Sequence, residues 1–198
     1  GPGGGSLSTC VGMAIASRVE DMYGSFAGAM WALGWPRHGR ANRDALALVK
    51  EVCESAGSTI SEGAVEAFIR KRVERGELLF GFGHAVLRAE DSRATILYDY
   101  VARHYPDMPL VKTALILRTV GKRLLQEEAK VADPYPNVDA ISGTALTAAG
   151  FPYTDYYTLL FGFARCVGIA AQIVYERCGA RGGKGTPLIR PTYIYKPQ

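Results

Sequence analysis

Residues 156–178 read Tyr156-Tyr-Thr-Leu-Leu-Phe-Gly-Phe-Ala-Arg165-Cys-Val-Gly-Ile-Ala-Ala-Gln-Ile-Val-Tyr-Glu-Arg-Cys178, and this run decides the fold class. It is much longer than a strand and no proline interrupts it, so it is read as a helix. A helix this apolar belongs in a core or in a bilayer. A clean bilayer span excludes charge, yet Arg165 stands mid-run and Glu176-Arg177 near its end. The expectation is a core helix and no membrane insertion.

Working outward, helical spacing continues almost everywhere. Val11 to Leu33 is a long, Ala- and Met-rich, largely buried helical pattern interrupted by Arg18, Glu20 and Asp21, and it stops at Gly34-Trp35-Pro36, where proline removes a backbone donor. Leu46, Leu48, Val49 and Val52 form a stripe of helical period within Asn42 to Ser55. Thr59-Ile-Ser-Glu62 has capping-box form and predicts a helix running to Gly76. Leu78 to Val86, broken by Gly81 and Gly83, reads as a loop. Ser92 to His104 and Leu110 to Lys130 return to helix. Asp133-Pro-Tyr-Pro-Asn137 is a rigid turn whose Asn137 stands ready to cap a short helix to Ala149. After Cys178 the chain is rich in glycine and proline and ends in an extended tail. No stretch alternates as a strand does. The fold class is all-α.

Composition fits an ordinary globular chain. Its 198 residues suffice for a sizeable core without disulfides or metal, and 48% hydrophobic with 21% charged residues argues against disorder. A net charge of +4 is too small to imply nucleic acid, though it suits an anionic ligand. Cys10, Cys53, Cys166 and Cys178 show no CxxC spacing and are expected as buried reduced thiols. Gly179-Ala-Arg-Gly-Gly-Lys-Gly-Thr186 mimics a phosphate-binding loop, but Gly185 separates lysine from threonine and Pro187 forbids the following helix. Arg70-Lys-Arg72 with Arg75 lies on the polar face of a helix, without aromatic residues between, and reads as a solvated face.

Chemistry concentrates elsewhere. The chain has three histidines, and two sit in glycine-punctuated breaks: His38 in Trp35-Pro-Arg-His-Gly-Arg-Ala-Asn42, and His84 in Gly81-Phe-Gly-His-Ala-Val-Leu-Arg88. Glycine beside a histidine lets a ligand approach closely, although either histidine alone is more simply a turn residue. Asp139 follows the Pro-Tyr-Pro-Asn turn and alone reads as a first-turn helix aspartate. Arg165 in its apolar helix requires a carboxylate partner, internal or brought by a ligand.

Together, Pro36-Arg-His-Gly-Arg-Ala-Asn42, Gly81-Phe-Gly-His-Ala-Val-Leu-Arg88, Asn137-Val-Asp-Ala-Ile-Ser-Gly143 and Tyr156-Tyr-Thr-Leu-Leu-Phe-Gly-Phe-Ala-Arg165 resemble the motifs of citrate synthase, in that family's order and spacing. The second and third resemble its eukaryotic mitochondrial branch. The resemblance covers essentially the whole chain and the C-terminal half of the family's. It implies the citrate synthase fold: a small mobile domain at 40–150, and large-domain segments at 1–39 and 151–198. It implies condensation of acetyl-coenzyme A with oxaloacetate to citrate and coenzyme A, in the tricarboxylic acid cycle of the mitochondrial matrix. Asp139 is then the base for the acetyl methyl group, His38 the donor to the thioester oxygen, and His84 the group that polarises the ketone and protonates the alkoxide. Arg93, Arg165 and Arg190 take the carboxylates of oxaloacetate, the last from the second subunit of a dimer. Arg88 and Lys130 meet coenzyme A phosphates, and the backbone of Leu79, Phe80, Gly81, Phe82 and Gly83 holds the adenine. Acetyl-coenzyme A is a substrate, so no cofactor or metal is implied. The implied partners are a second copy, a chain supplying the N-terminal half, or both. Pro2 replaces a family histidine, and Trp35-Pro-Arg-His-Gly39 replaces a Gly-Pro-Leu-His-Gly turn. Those departures support the alternative, a non-catalytic structural subunit of a larger mitochondrial assembly. A 2-methylcitrate synthase shares the same motifs.

Overall fold

The computed structural model describes residues 6–18, 21–34, 39–84, 87–127 and 133–185. Among these are eight α-helices: α1 (Leu7–Ala16), α2 (Met22–Leu33), α3 (Ala41–Ala56), α4 (Glu62–Glu74), α5 (Ser92–His104), α6 (Pro109–Glu127), α7 (Asp139–Ala148) and α8 (Tyr157–Cys178). Short 3₁₀ turns occupy Thr154–Tyr156 and Ala180–Gly183. The described residues contain no β-strand, only an isolated antiparallel bridge between Phe82 and Pro136. The all-α expectation holds.

Contacts divide the chain into two compact units, Arg40–Tyr157 and Gly1–Gly39 with Thr158–Gln198. The first contains α3 to α7. The apolar stripe of α3 (Leu48, Val49, Val52) joins Val65 and Ile69 of α4, Val101 of α5, Val120 and Leu124 of α6, and Ile141 of α7 in one core. Polar faces pair both within and between these helices. Arg70 reaches Glu66 of the same helix at 2.7 Å and Arg72 reaches Glu51 of α3 at 2.9 Å, so the basic run is an ion-paired outer face.

The second unit contains α1, α2 and most of α8, with a small core of Ala16, Ala29, Ile169 and Ile173. The helices meet through small residues. A Cβ on Gly12 would stand 3.2 Å from that of Ala29 and 3.3 Å from Ile169 Cγ2. The other side of α8 is bare: Phe163 and Val167 are 76% and 77% exposed, and Leu159 and Tyr175 are exposed beside them. The helix Thr154–Cys178 is in fact long and apolar enough to cross a membrane by length and composition, with a mean hydropathy of 1.5. The sequence reading set that aside because of its charges, but its most apolar window contains few of them. One stripe, Ile169 and Ile173, is buried against Ala16 and Ala29, while 22% of that window is buried in all.

The structure refines or corrects several local expectations. The interruption of Val11 to Leu33 at Arg18, Glu20 and Asp21 divides that stretch into α1 and α2. Asp21, in extended conformation, accepts from Gly24 N at 2.7 Å and starts α2 afresh, while Ser17 Oγ bonds back to Ala14 O at the end of α1. The cap of α4 is Ser61, whose Oγ accepts from Ala64 N at 3.3 Å, so Thr59 lies outside the helix. None of the four cysteines is buried; Cys10 and Cys178 are exposed and the others half-buried. Contacts group residues 151–157 within the Arg40–Tyr157 unit. Tyr157 explains why. Its side chain is fully buried, its hydroxyl donates to Phe151 O at 2.8 Å and lies 2.9 Å from Thr147 Oγ1, and its ring stacks on Phe151.

Tyr157→Phe keeps the ring but removes the donor to the half-buried Phe151 carbonyl and the contact with Thr147 Oγ1, which keeps its bond to Gly143 O. It is expected to cost about 1–2 kcal/mol, read as a lower urea midpoint. An unchanged midpoint would show that the hydroxyl does not hold this junction.

Candidate active site

Two irregular segments of the Arg40–Tyr157 unit lie side by side and carry the chemistry-bearing residues. The loop 79–84 precedes α5, and the turn 133–138 precedes α7. Asn137 N donates to Gly81 O at 2.9 Å, Gly83 N to Tyr135 O at 3.2 Å, and Asn137 Nδ2 to Gly83 O at 3.1 Å. Gly81 must be glycine here. Its φ is +85°, and a Cβ would come within 2.5 Å of Ala140 Cα in the first turn of α7. Phe82 anchors the loop from the other side, because Gly121 of α6 leaves room for its ring. The Lys122 ammonium stands 4.5 Å from the centre of the Tyr135 ring and holds the turn against the same helix.

Each candidate side chain starts from this framework. Asp139 is the first residue of α7, where the helix dipole favours a negative charge, and Asn137 Oδ1 accepts from its N–H at 2.9 Å. Asn137, expected as the cap, instead makes an Asx turn just ahead of the helix, whose N-cap position is Val138. His84 is exposed, and its Nδ1 accepts from Leu87 N at 3.0 Å. In the neutral ring an accepting Nδ1 leaves the proton on Nε2. Arg93 lies in the first turn of α5, gripped by Asp91. Oδ1 of Asp91 accepts from Arg93 N and Nε, both at 3.0 Å, and Oδ2 accepts from Arg93 Nη2 at 2.7 Å and from Val138 N at 3.2 Å.

The charges follow from these bonds. Burial pushes the Asp91 carboxyl up, but the Arg93 hydrogen bonds and the Val138 N–H outweigh it and hold the group below the usual carboxylate range. The Arg93 guanidinium is raised in turn, mainly by its bond to Asp91 and further by the charges of Asp91 and Asp139. Next door, Glu90 receives the Nε and Nη2 groups of Arg118 and the Thr95 hydroxyl, and Arg118 lies over the buried Tyr98 ring. Burial raises the Glu90 carboxyl too, and the Arg118 and Thr95 bonds bring it below its ordinary value. Glu90 therefore ties this segment to α6, while Asp91 ties it to α7.

Other expected site residues are placed differently. Exposed Arg88 donates to the carbonyls of Leu87 at 2.7 Å and His84 at 3.2 Å. In the stretch 79–83, Leu79 is buried in the core, and Leu79 O, Phe82 N, Gly81 O and both backbone polar groups of Gly83 are engaged in holding the loop. Arg165 belongs to the other unit. Its Nη1 donates to Ser6 Oγ at 3.0 Å and Ser8 Oγ at 2.9 Å, and its guanidinium lies over Phe161. His38, Lys130 and Arg190, together with Pro2 and Trp35, lie outside the described residues. Sequence reasoning missed Asp91, Glu90 and Arg118. An aspartate just before a helical run signals an N-cap, which was the one available pointer to Asp91.

A family model described as citrate synthase, C-terminal domain, matches residues 3–192. The chain belongs to the citrate synthase family. A mitochondrial citrate synthase of Fragaria ananassa is 37% identical over 191 residues, which are 96% of this chain and 40% of that protein. Citrate synthase 5, mitochondrial, of Arabidopsis thaliana is 38% identical over the same length. The chain thus spans about 40% of the length of these curated relatives. Among solved structures, citrate synthase of Thermotoga maritima superposes with a TM-score of 0.78 at 32% identity, covering 98% of this chain and 49% of that one. The enzyme of Thermoplasma acidophilum, in ternary complex with carboxymethyl coenzyme A and oxaloacetate, also gives 0.78, at 28% identity and 98% and 48% coverage.

Glu90 offers a test by pH. A carboxyl depressed in the fold contributes its stabilisation fully above its unfolded pKa of about 4.3 and loses it as pH falls through the lower folded value. Glu90→Gln should therefore melt lower than wild type at pH 7, with the gap narrowing toward pH 3. A gap that is constant with pH would show that the Glu90–Arg118 pair does not stabilise the segment.

Proposed function

We propose that this chain acts within a citrate synthase, condensing acetyl-coenzyme A with oxaloacetate to give citrate and coenzyme A in mitochondria. The observation that carries the reading is the hydrogen-bonded junction joining the His84 loop and the Arg93 turn to the start of α7, where Asp139 stands. Family membership and the mitochondrial names of the curated relatives support it.

The chemistry follows from what each group can do. A methyl group alpha to a thioester is a very weak acid. Its proton leaves only if the enolate oxygen is stabilised at the same moment. Asp139 takes that proton as an ionised carboxylate, and His38 donates to the thioester oxygen. The enolate carbon then attacks the ketone of oxaloacetate, and His84 donates Nε2–H to the ketone oxygen as negative charge grows there. Arg93, Arg165 and Arg190 take the two carboxylates, for which the arginine fork is shaped. Arg88 and Lys130 meet the phosphates of coenzyme A, and the backbone of 79–83 flanks its adenine. Water then hydrolyses the citryl thioester. Residues 40–150 act as the small mobile domain of the family, and the bare face of α8 is covered by further helices of a dimeric assembly, from a second copy or another polypeptide.

Asp139→Ala should abolish exchange of the acetyl methyl protons and slow condensation about 10²–10⁴-fold, the usual effect of removing a positioned base. Coenzyme A binding should survive. Near wild-type condensation by this variant would remove Asp139 from the role.

A further inference from the structure

Asp91 has no part in the chemistry just described, yet it is one of the few buried carboxylates, only 4% exposed. An N-cap aspartate needs one bond, from its side chain to a backbone N–H of the first turn. Asp91 makes that bond to Arg93 N and then three more. Two go to the Nε and Nη2 edge of the Arg93 guanidinium, at 3.0 and 2.7 Å. The last comes from Val138 N at 3.2 Å, on the residue directly before Asp139. Capping explains the first bond and leaves three without a reason.

The shape of a guanidinium supplies one. Its five N–H donors are arranged in a rigid plane, and a carboxylate on the Nε–Nη2 edge leaves the Nη1–Nη2 edge for another anion. With its side chain 55% exposed, Arg93 has that second edge available to solvent or ligand. We propose that Asp91 is a positioning residue, which selects the edge of Arg93 that meets the substrate carboxylate and fixes the start of α7 under Asp139. One buried carboxylate thereby sets the relative placement of a substrate-binding arginine and a base on different helices. The inference rests on the citrate synthase reading above.

Two variants separate positioning from capping. Asp91→Ser retains a good N-cap but cannot reach the guanidinium edge and Val138 N together. Asp91→Asn keeps the shape, but its amide turns a donor toward one of those N–H groups. Both should keep the far-UV circular dichroism and coenzyme A affinity of wild type to within about twofold, while kcat/KM for oxaloacetate falls about 10–100-fold, the scale of a misplaced reacting group. Methyl proton exchange on acetyl-coenzyme A should slow in the same variants, which a residue serving only helix stability would not cause. Wild-type kinetics for oxaloacetate in both variants would overturn the proposal. So would loss of folded structure in both, which would assign Asp91 to stability alone. If wild type itself neither turns over nor binds oxaloacetate, the parent reading fails and this one with it; altered variants beside an active wild type bear on Asp91 only.

Discussion

A carboxylate taken out of water must be met by donors, and the candidate site of this chain is organised around one that is. Asp91 is met by four N–H groups from two segments more than forty positions apart in sequence. Losing a donor would leave part of a buried carboxylate unsatisfied, so the arrangement resists sliding. The end of the loop that bears His84, the first turn of α5 with Arg93, and the start of α7 with Asp139 are consequently fixed together. Glu90 adds a second tie, to Arg118 on α6, so the segment before α5 is held by helices on two sides.

That arrangement needs a firm support, and the core of Arg40–Tyr157 provides it. Five helices share one apolar cluster, and Tyr157 closes the unit with a buried hydroxyl bonded to its own polypeptide segment. Glycine makes the site itself possible at one point: no side chain at position 81 could coexist with Ala140. The other unit differs in kind. Among the described residues its core is Ala16, Ala29, Ile169 and Ile173, and α8 leaves a broad apolar face exposed.

Much of this was legible in the sequence, for identifiable reasons. Helical period marks α3, α5, α6 and α8 because burial on one face repeats with the turn of the helix. The glycines at 81 and 83 and the prolines at 134 and 136 mark the loop and turn because they limit backbone conformation, and the motif around each pointed to His84 and Asp139. Less legible was anything decided by competition between neighbours. The charges at Arg18, Glu20 and Asp21 mark an interruption, but that Asp21 starts a new helix shows only when its side chain is seen capping α2. Thr59 and Ser61 are both plausible caps, and only backbone conformation chooses Ser61. Cysteines in helical patterns read as buried, but two of the four are exposed and two half-buried. The pairing of Glu90 with Arg118 and of Asp91 with Val138 N joins residues 28 and 47 positions apart, which no local pattern encodes.

The central claim is that these residues bind a dicarboxylate keto acid in order to use it. Thermal melting with and without oxaloacetate tests this most directly, because a ligand that binds only the folded state stabilises it by mass action. At a hundredfold excess over its dissociation constant the gain is about 2.7 kcal/mol. The account predicts a clear rise in melting temperature with millimolar oxaloacetate, reduced when Arg93 is replaced by Gln. No shift in wild type at millimolar ligand would contradict it.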